Sequence, residues 1–121
     1  MRIALVDDCP NDLSIMHQFL AEALDTDSVI TEFHNGEDFL QHWSADTFDL
    51  IVLDIYMEQL TGIEIARVIR ETDPNVCLVF ATTSNEFASE SYEVNACYYL
   101  CKPFLKQQVL AMLDRIGRSE E

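Results

Sequence analysis

Four places in this sequence combine residue types and settings suited to phosphoryl or metal chemistry. They are the pair Asp7-Asp8, the single Asp54, the hydroxyls Thr82-Thr83, and Lys102. Each follows a short β-favouring run: Arg2 to Val6, Leu50 to Leu53, Val76 to Ala81 and Ala96 to Cys101, respectively. Three carboxylates brought together would repel and raise one another's pKa, so a divalent cation or the Lys102 ammonium must offset them. A donor set made only of oxygens suits Mg²⁺, which takes one or two carboxylates, keeps waters and accepts phosphate oxygens. A phosphoryl group at such a place would meet Mg²⁺, an ammonium and a hydroxyl around its charge. Taken singly, each residue has a plainer reading as a helix cap, a turn former or a strand terminator. Four complementary features at four strand ends are hard to obtain from caps and turns alone.

The elements that must position these residues follow from hydrophobic periodicity. After Asp8, Pro10 opens a segment whose apolar residues Leu13, Met16, Leu20, Ala23 and Leu24 recur at helical spacing. Val29 to His34 alternates as a strand, Asn35-Gly36 reads as a turn, and Phe39, Leu40 and Trp43 form the stripe of a short helix. The run ending at Asp54 is followed by a loop, Ile55 to Gly62, and a helix carrying Ile63, Ala66 and Ile69. Pro74-Asn75 closes that unit. A fourth strand then leads to a helix with Phe87, Ser91 and Val94 on one side, and a fifth to a final helix marked by Val109, Met112, Leu113 and Ile116. Five strands alternating with five helices predict an α/β fold, a doubly wound five-stranded parallel sheet with helices on both faces. In such sheets ligands bind beyond the carboxyl ends of the strands, where strand order reverses.

Composition bounds the rest. The 121 residues suffice for one core and leave no room for a second domain, so 1–121 is expected to be a single unit. The formal charge is −15, and its distribution is regional: fourteen carboxylates and no Lys or Arg lie between Ile3 and Ala66. Gripping a phosphate backbone needs clustered cations, so direct nucleic-acid binding by this domain is not expected. With no basic n-region before an apolar h-region, and no apolar run near the roughly 20 residues that span a bilayer, the chain reads as cytoplasmic with no membrane role. Cys97 and Cys101 sit about 13 Å apart along an extended strand and cannot chelate one ion together. The four cysteines read as reduced thiols.

The paired acids, the run V-L-D with Asp54 followed by Met57 and Gly62, the hydroxyl Thr82 and the triplet Lys102-Pro103-Phe104 resemble the receiver domain of bacterial two-component response regulators. The likeness covers essentially the whole chain and implies the flavodoxin-like receiver topology. The stretches from Leu60 to Glu64, Phe80 to Thr82 and Phe87 to Phe104 look most like receivers of LytTR-type transcriptional regulators. The resemblance implies that Asp54 accepts a phosphoryl group from a sensor histidine kinase and that Lys102 and Thr82 contact it. It further implies that Asp8 and Asp54 hold Mg²⁺ directly, with Asp7 acting mainly through water and the Tyr56 backbone carbonyl as a further ligand. Tyr99 occupies the aromatic switch position, and output would pass through the face of helix four, strand five and helix five. That face carries Lys106, Arg115 and Arg118 beside Glu86, Glu90 and Glu93, charges that could pair across a two-fold axis in a phosphorylation-dependent homodimer.

Three positions depart from the family's commonest pattern. Thr83 stands where a small Ala usually follows the hydroxyl, Glu58 replaces a frequent Pro, and Cys9 adjoins the acids where a third carboxylate or amide is common. Other classes fit less well. A dehalogenase-type phosphatase needs a second Asp two residues after the nucleophile, and position 56 is Tyr; a flavodoxin needs a hydroxyl- and Gly-rich loop where this chain has D-D-C-P-N-D. The chain is therefore expected to be a phosphoacceptor signalling domain rather than an enzyme. A LytTR-type DNA-binding domain would lie outside this chain, and the alternatives are a stand-alone regulator or a non-phosphorylated scaffold.

Overall fold

A computed structural model describes residues 1–84 and 86–119, and side chains through residue 116. Along the chain run β1 (Arg2–Val6), α1 (Pro10–Ala23), β2 (Val29–Phe33), α2 (Gly36–His42), β3 (Leu50–Leu53), α3 (Gly62–Thr72), β4 (Cys77–Thr82), α4 (Ala88–Glu93), β5 (Tyr98–Cys101) and α5 (Lys106–Ser119). The strands form one sheet in the order β2-β1-β3-β4-β5. All pairings are parallel, with Ile3 opposite Leu50, Leu50 opposite Cys77 and Val79 opposite Tyr98. This is the expected doubly wound α/β sheet with five helices, and its order reverses between β1 and β3.

Strand alternation sends apolar side chains into two separate cores. Ile51, Leu53, Leu78 and Phe80 pack with Phe39 of α2 and Ile65 and Ile69 of α3. Leu50, Val52 and Val79 face Leu13, Met16 and Leu20 of α1 and Val109, Met112 and Ile116 of α5. Central β3 and β4 are buried throughout, as their uninterrupted apolar sequence predicts. The outermost β2 departs from that pattern: Val29 is exposed and only Phe33 is buried, because an edge strand has a neighbour on one side alone.

Several boundaries shift for local reasons. Asn35-Gly36 is a helix start and not a free turn, because Asn35 Oδ1 accepts the Asp38 N–H at 2.8 Å and caps α2. Val76 stays outside β4 because its N–H donates to Asp73 Oδ1 at 3.0 Å. Ala96 stays outside β5 because its N–H donates to the Ser91 carbonyl at the end of α4, at 3.0 Å. α3 begins with a full capping box, Thr61 Oγ1 accepting from Glu64 N–H and Glu64 Oε1 accepting from Thr61 N–H.

Gly62 shows how closely this helix approaches the end of β3. A Cβ there would stand 2.2 Å from the Asp54 carbonyl oxygen and 2.9 Å from its carbon, both backbone atoms that cannot rotate away. Gly62→Ala is therefore expected to destabilise the fold by about 1–3 kcal/mol and to displace Asp54. Chemical denaturation measures the first effect; an unshifted stability would show that the loop absorbs the methyl group.

Candidate functional site

Hydrogen bonding past the ends of the strands places the polar residues. Asp7 N–H donates to the Phe33 carbonyl at 3.1 Å, Asp54 N–H to Val6 at 2.9 Å and Lys102 N–H to Thr82 at 2.6 Å. Each ladder thus continues one residue beyond its last apolar position. Asp7 and Asp54 are carried to the crevice where strand order reverses, and carboxylate oxygens of Asp7, Asp8 and Asp54 lie within 4.8 Å of one another. Asp7 and Asp54 are each only 7% exposed, whereas Asp8 is open to solvent.

Lys102 reaches across this crevice from the end of β5. Its ammonium donates to Asp7 Oδ2 at 2.7 Å, to Asp12 Oδ2 at 2.8 Å and to Asp54 Oδ2 at 3.3 Å. The expected pairing with Asp54 is present but is the longest of the three. Asp12, one turn into the sequence after Asp8, was not expected to take part. Burial works against the charged ammonium, yet hydrogen bonds to Asp12 and Asp7 outweigh it and hold the Lys102 pKa above its ordinary value. Asp54 responds oppositely: burial first, and the neighbouring Asp7 charge second, push its carboxyl up to about 6 despite the opposing pull of Lys102.

The acids fit a hard divalent cation. They offer oxygen donors alone, three of them close enough to share an ion, and the exposed Asp8 leaves one side open for water or phosphate oxygens. Asp7 is already occupied, accepting the Cys9 N–H at Oδ1 (2.9 Å) as well as the Lys102 ammonium, while no hydrogen bond or ion pair engages Asp8 among the described residues.

The remaining predicted residues surround this centre at different depths. Thr82 ends β4 fully buried, and its Oγ1 has no hydrogen-bond partner among the described residues. An orphaned buried hydroxyl costs free energy unless a ligand or a rearrangement satisfies it. Tyr56 N–H donates to Asp54 Oδ1 at 3.3 Å; the residue is 44% exposed, its ring meets Phe87 edge-on and its hydroxyl donates to Glu86. Tyr99 is half-buried, its ring 6.3 Å from that of Phe80 and its hydroxyl donating to the Ser84 carbonyl. Thr83 and Glu58 point to solvent, and Cys9 precedes α1 without a side-chain capping bond.

Two charges expected on the output face are directed elsewhere. Lys106 pairs with Glu22 of α1 at 2.7 Å, and Glu93 with Arg67 of α3 at 3.7 Å. The sequence places both residues on the right helices but does not say which neighbour each side chain meets. Arg118 lies outside the described side chains.

The response regulator receiver domain family matches residues 3–114. The sensory transduction protein LytR of Staphylococcus epidermidis is 32% identical over 124 residues, covering all of this chain and 48% of that protein. LytT of Bacillus anthracis is 27% identical over 104 residues, covering 86% of this chain and 42% of the relative. The chain thus spans about half the length of the curated relatives it matches. Among solved structures, DrrB, an OmpR/PhoB homolog from Thermotoga maritima, superposes with a TM-score of 0.83 at 31% identity over 99% of this chain and 54% of its own. A BeF3-activated DrrB receiver domain gives 0.83 at 32% identity, covering 97% of both chains. No helix among the described residues is long and apolar enough to cross a membrane. Sheet order, crevice chemistry and these likenesses agree, and the chain belongs to the response regulator receiver domains of two-component signalling systems.

Proposed function

We propose that Asp54 is the phosphoacceptor of this receiver, that residues 1–121 act as one unit, and that it works in the cytoplasm with a sensor histidine kinase. One observation carries the reading. A nearly buried carboxylate stands at the strand-order reversal with two further carboxylates and an ammonium around it. An Asp54 oxygen attacks phosphorus, the phosphorus–nitrogen bond of a phosphohistidine breaks, and its electron pair returns to the imidazole, leaving an acyl phosphate. Asp8 and Asp54 would hold Mg²⁺ directly, Asp7 mainly through water, with the Tyr56 carbonyl as a further ligand. When bound, Mg²⁺ supplies positive charge to the phosphoryl oxygens. Lys102 gives a second cation to the same oxygens and the Thr82 hydroxyl a hydrogen bond, which ends its isolation.

Asp8→Ala is expected to weaken Mg²⁺ binding about tenfold or more, because it removes an open donor that no protein partner has claimed. Calorimetric titration with Mg²⁺ measures this. The wild-type protein should take up one phosphoryl group from acetyl phosphate only when Mg²⁺ is present. Labelling that proceeds equally in chelator would reject the metal-assisted reading.

Movement of Thr82 toward the phosphoryl group would vacate space for Tyr99 to turn inward, biasing two pre-existing arrangements of α4, β5 and α5. Tyr99 would then give up its bond to the Ser84 carbonyl. Output would be transcriptional, through a LytTR-type domain, as the likeness to LytR and LytT suggests. Phosphorylation is expected to promote a homodimer through this face, by pairing of its opposite charges across a two-fold axis. Sedimentation with and without beryllofluoride checks this: a monomer in both conditions at high concentration removes dimerisation of the isolated domain.

A further inference from the structure

Asp12 has no part in the transfer described above, yet it is one of the two nearest partners of Lys102. The contact at 2.8 Å is half an ångström shorter than the one to Asp54 at 3.3 Å. Lys102 is the only partner of the Asp12 carboxylate among the described residues, whereas Asp7 also accepts the Cys9 N–H and Asp54 the Tyr56 N–H. The Lys102 side chain is 8% exposed and Asp12 30%, so this ion pair is partly shielded from solvent.

An ammonium has three protons to donate, and here all three go to carboxylates. A phosphoryl oxygen on Asp54 can gain Lys102 only if one of these bonds lengthens. Asp7 is held in place from its other oxygen, while Asp12 projects from the first turn of α1 and is tied at one end only. A cavity of about 10 Å³, room for about one water, lies beneath Asp7, Asp12 and Asp54 against Leu13, Met16 and Phe104.

We propose that Asp12 is a positioning residue: it holds the Lys102 ammonium back from Asp54 in the resting state and competes for it with the phosphoryl group. This rests on Asp54 being the phosphoacceptor. By opposing the advance of Lys102, Asp12 weakens the hold on the phosphoryl group and favours return to the resting state.

The test is beryllofluoride affinity in Mg²⁺, measured by calorimetry for wild type, Asp12→Asn and Asp12→Ala, each also combined with Lys102→Met. Removing one partly exposed charge-assisted competitor is expected to tighten binding about three- to tenfold in the Lys102 background. In the Lys102→Met background the change should shrink to within about twofold, since the residue competed for is gone. Equal tightening in both backgrounds would mean that Asp12 acts only by repelling the anion, and would overturn the proposal. Should Lys102→Met bind too weakly to measure, a crystal structure of Asp12→Asn decides. Lys102 Nζ closer to Asp54 than 3.3 Å supports the proposal, and an unmoved ammonium overturns it. A wild-type protein that binds beryllofluoride, with Asp12 variants unchanged, rejects the role of Asp12 alone. A wild type that neither binds it nor accepts a phosphoryl group rejects the Asp54 reading and this one with it.

Discussion

Asp54→Asn is expected to abolish phosphorylation by acetyl phosphate in Mg²⁺, while the wild-type chain takes one phosphoryl group by intact-mass measurement. The neighbouring acids are poor substitutes. Asp7 is tied to both Lys102 and the Cys9 amide, Asp12 lies on α1 with its carboxylate on Lys102, and Asp8 has no contact with the ammonium. A single adduct of equal yield in the variant would move the acceptor elsewhere.

The same substitution should stabilise the metal-free protein near neutral pH. The folded carboxyl of Asp54 sits at about 6 against an ordinary 3.8, so the folded chain holds this proton more tightly than the unfolded one. That contribution is fully present below 3.8 and is lost as pH rises through about 6. Above that range wild type carries a buried charge beside Asp7, and the neutral amide does not. A gain of about 1–3 kcal/mol is expected for Asp54→Asn near neutral pH, shrinking as the pH falls toward 4. Added Mg²⁺ should narrow the gap from the other side by stabilising wild type in proportion to its occupancy. Thermal melts across pH, with and without Mg²⁺, read all three arms, and a variant less stable than wild type in chelator would contradict the sign.

What the sequence made legible divides along a physical line. β3 and, from Ile3 onward, β1 match their predicted bounds, because a strand buried on both faces must be apolar and stops where charge begins. Asp7, Asp54 and Lys102 were legible as the first charged residue after a β-favouring run, and Asp8 as the second acid of its pair. Asn35-Gly36 was ambiguous because an Asn side chain that can close a turn can equally accept a helix N–H. Asp12 went unread because an acid in the first turn of a helix has an ordinary explanation in the helix dipole. The only hint was its position one turn after Asp8, on a helix starting at the crevice. The partners of Lys106 and Glu93 were beyond reach, since long side chains select among neighbouring helices by tertiary packing.

Lys102→Met should have the opposite effect on stability to Asp54→Asn, and two opposing terms decide its size. Removing the ammonium recovers its desolvation, which is unfavourable for a side chain only 8% exposed, and methionine fills much of the same space. Against this, Asp7, Asp12 and Asp54 all lose their cation at once, and two of them are largely buried. Orphaned buried charge outweighs the recovered desolvation when several partners depend on one ion, so a loss of about 2–4 kcal/mol is expected near neutral pH in chelator. The loss should be conditional. Without the downward pull of Lys102, the Asp54 carboxyl rises above about 6, so acidification through that value protonates it and recovers stability that alkaline conditions remove. Mg²⁺ should restore stability at neutral pH by taking over the compensation of the same carboxylates. Melting curves of Lys102→Met against wild type, with pH and Mg²⁺ varied separately, test the balance. A variant more stable than wild type at neutral pH in chelator would show that desolvation of the ammonium dominates, and that the acids at this crevice do not need a cation to coexist.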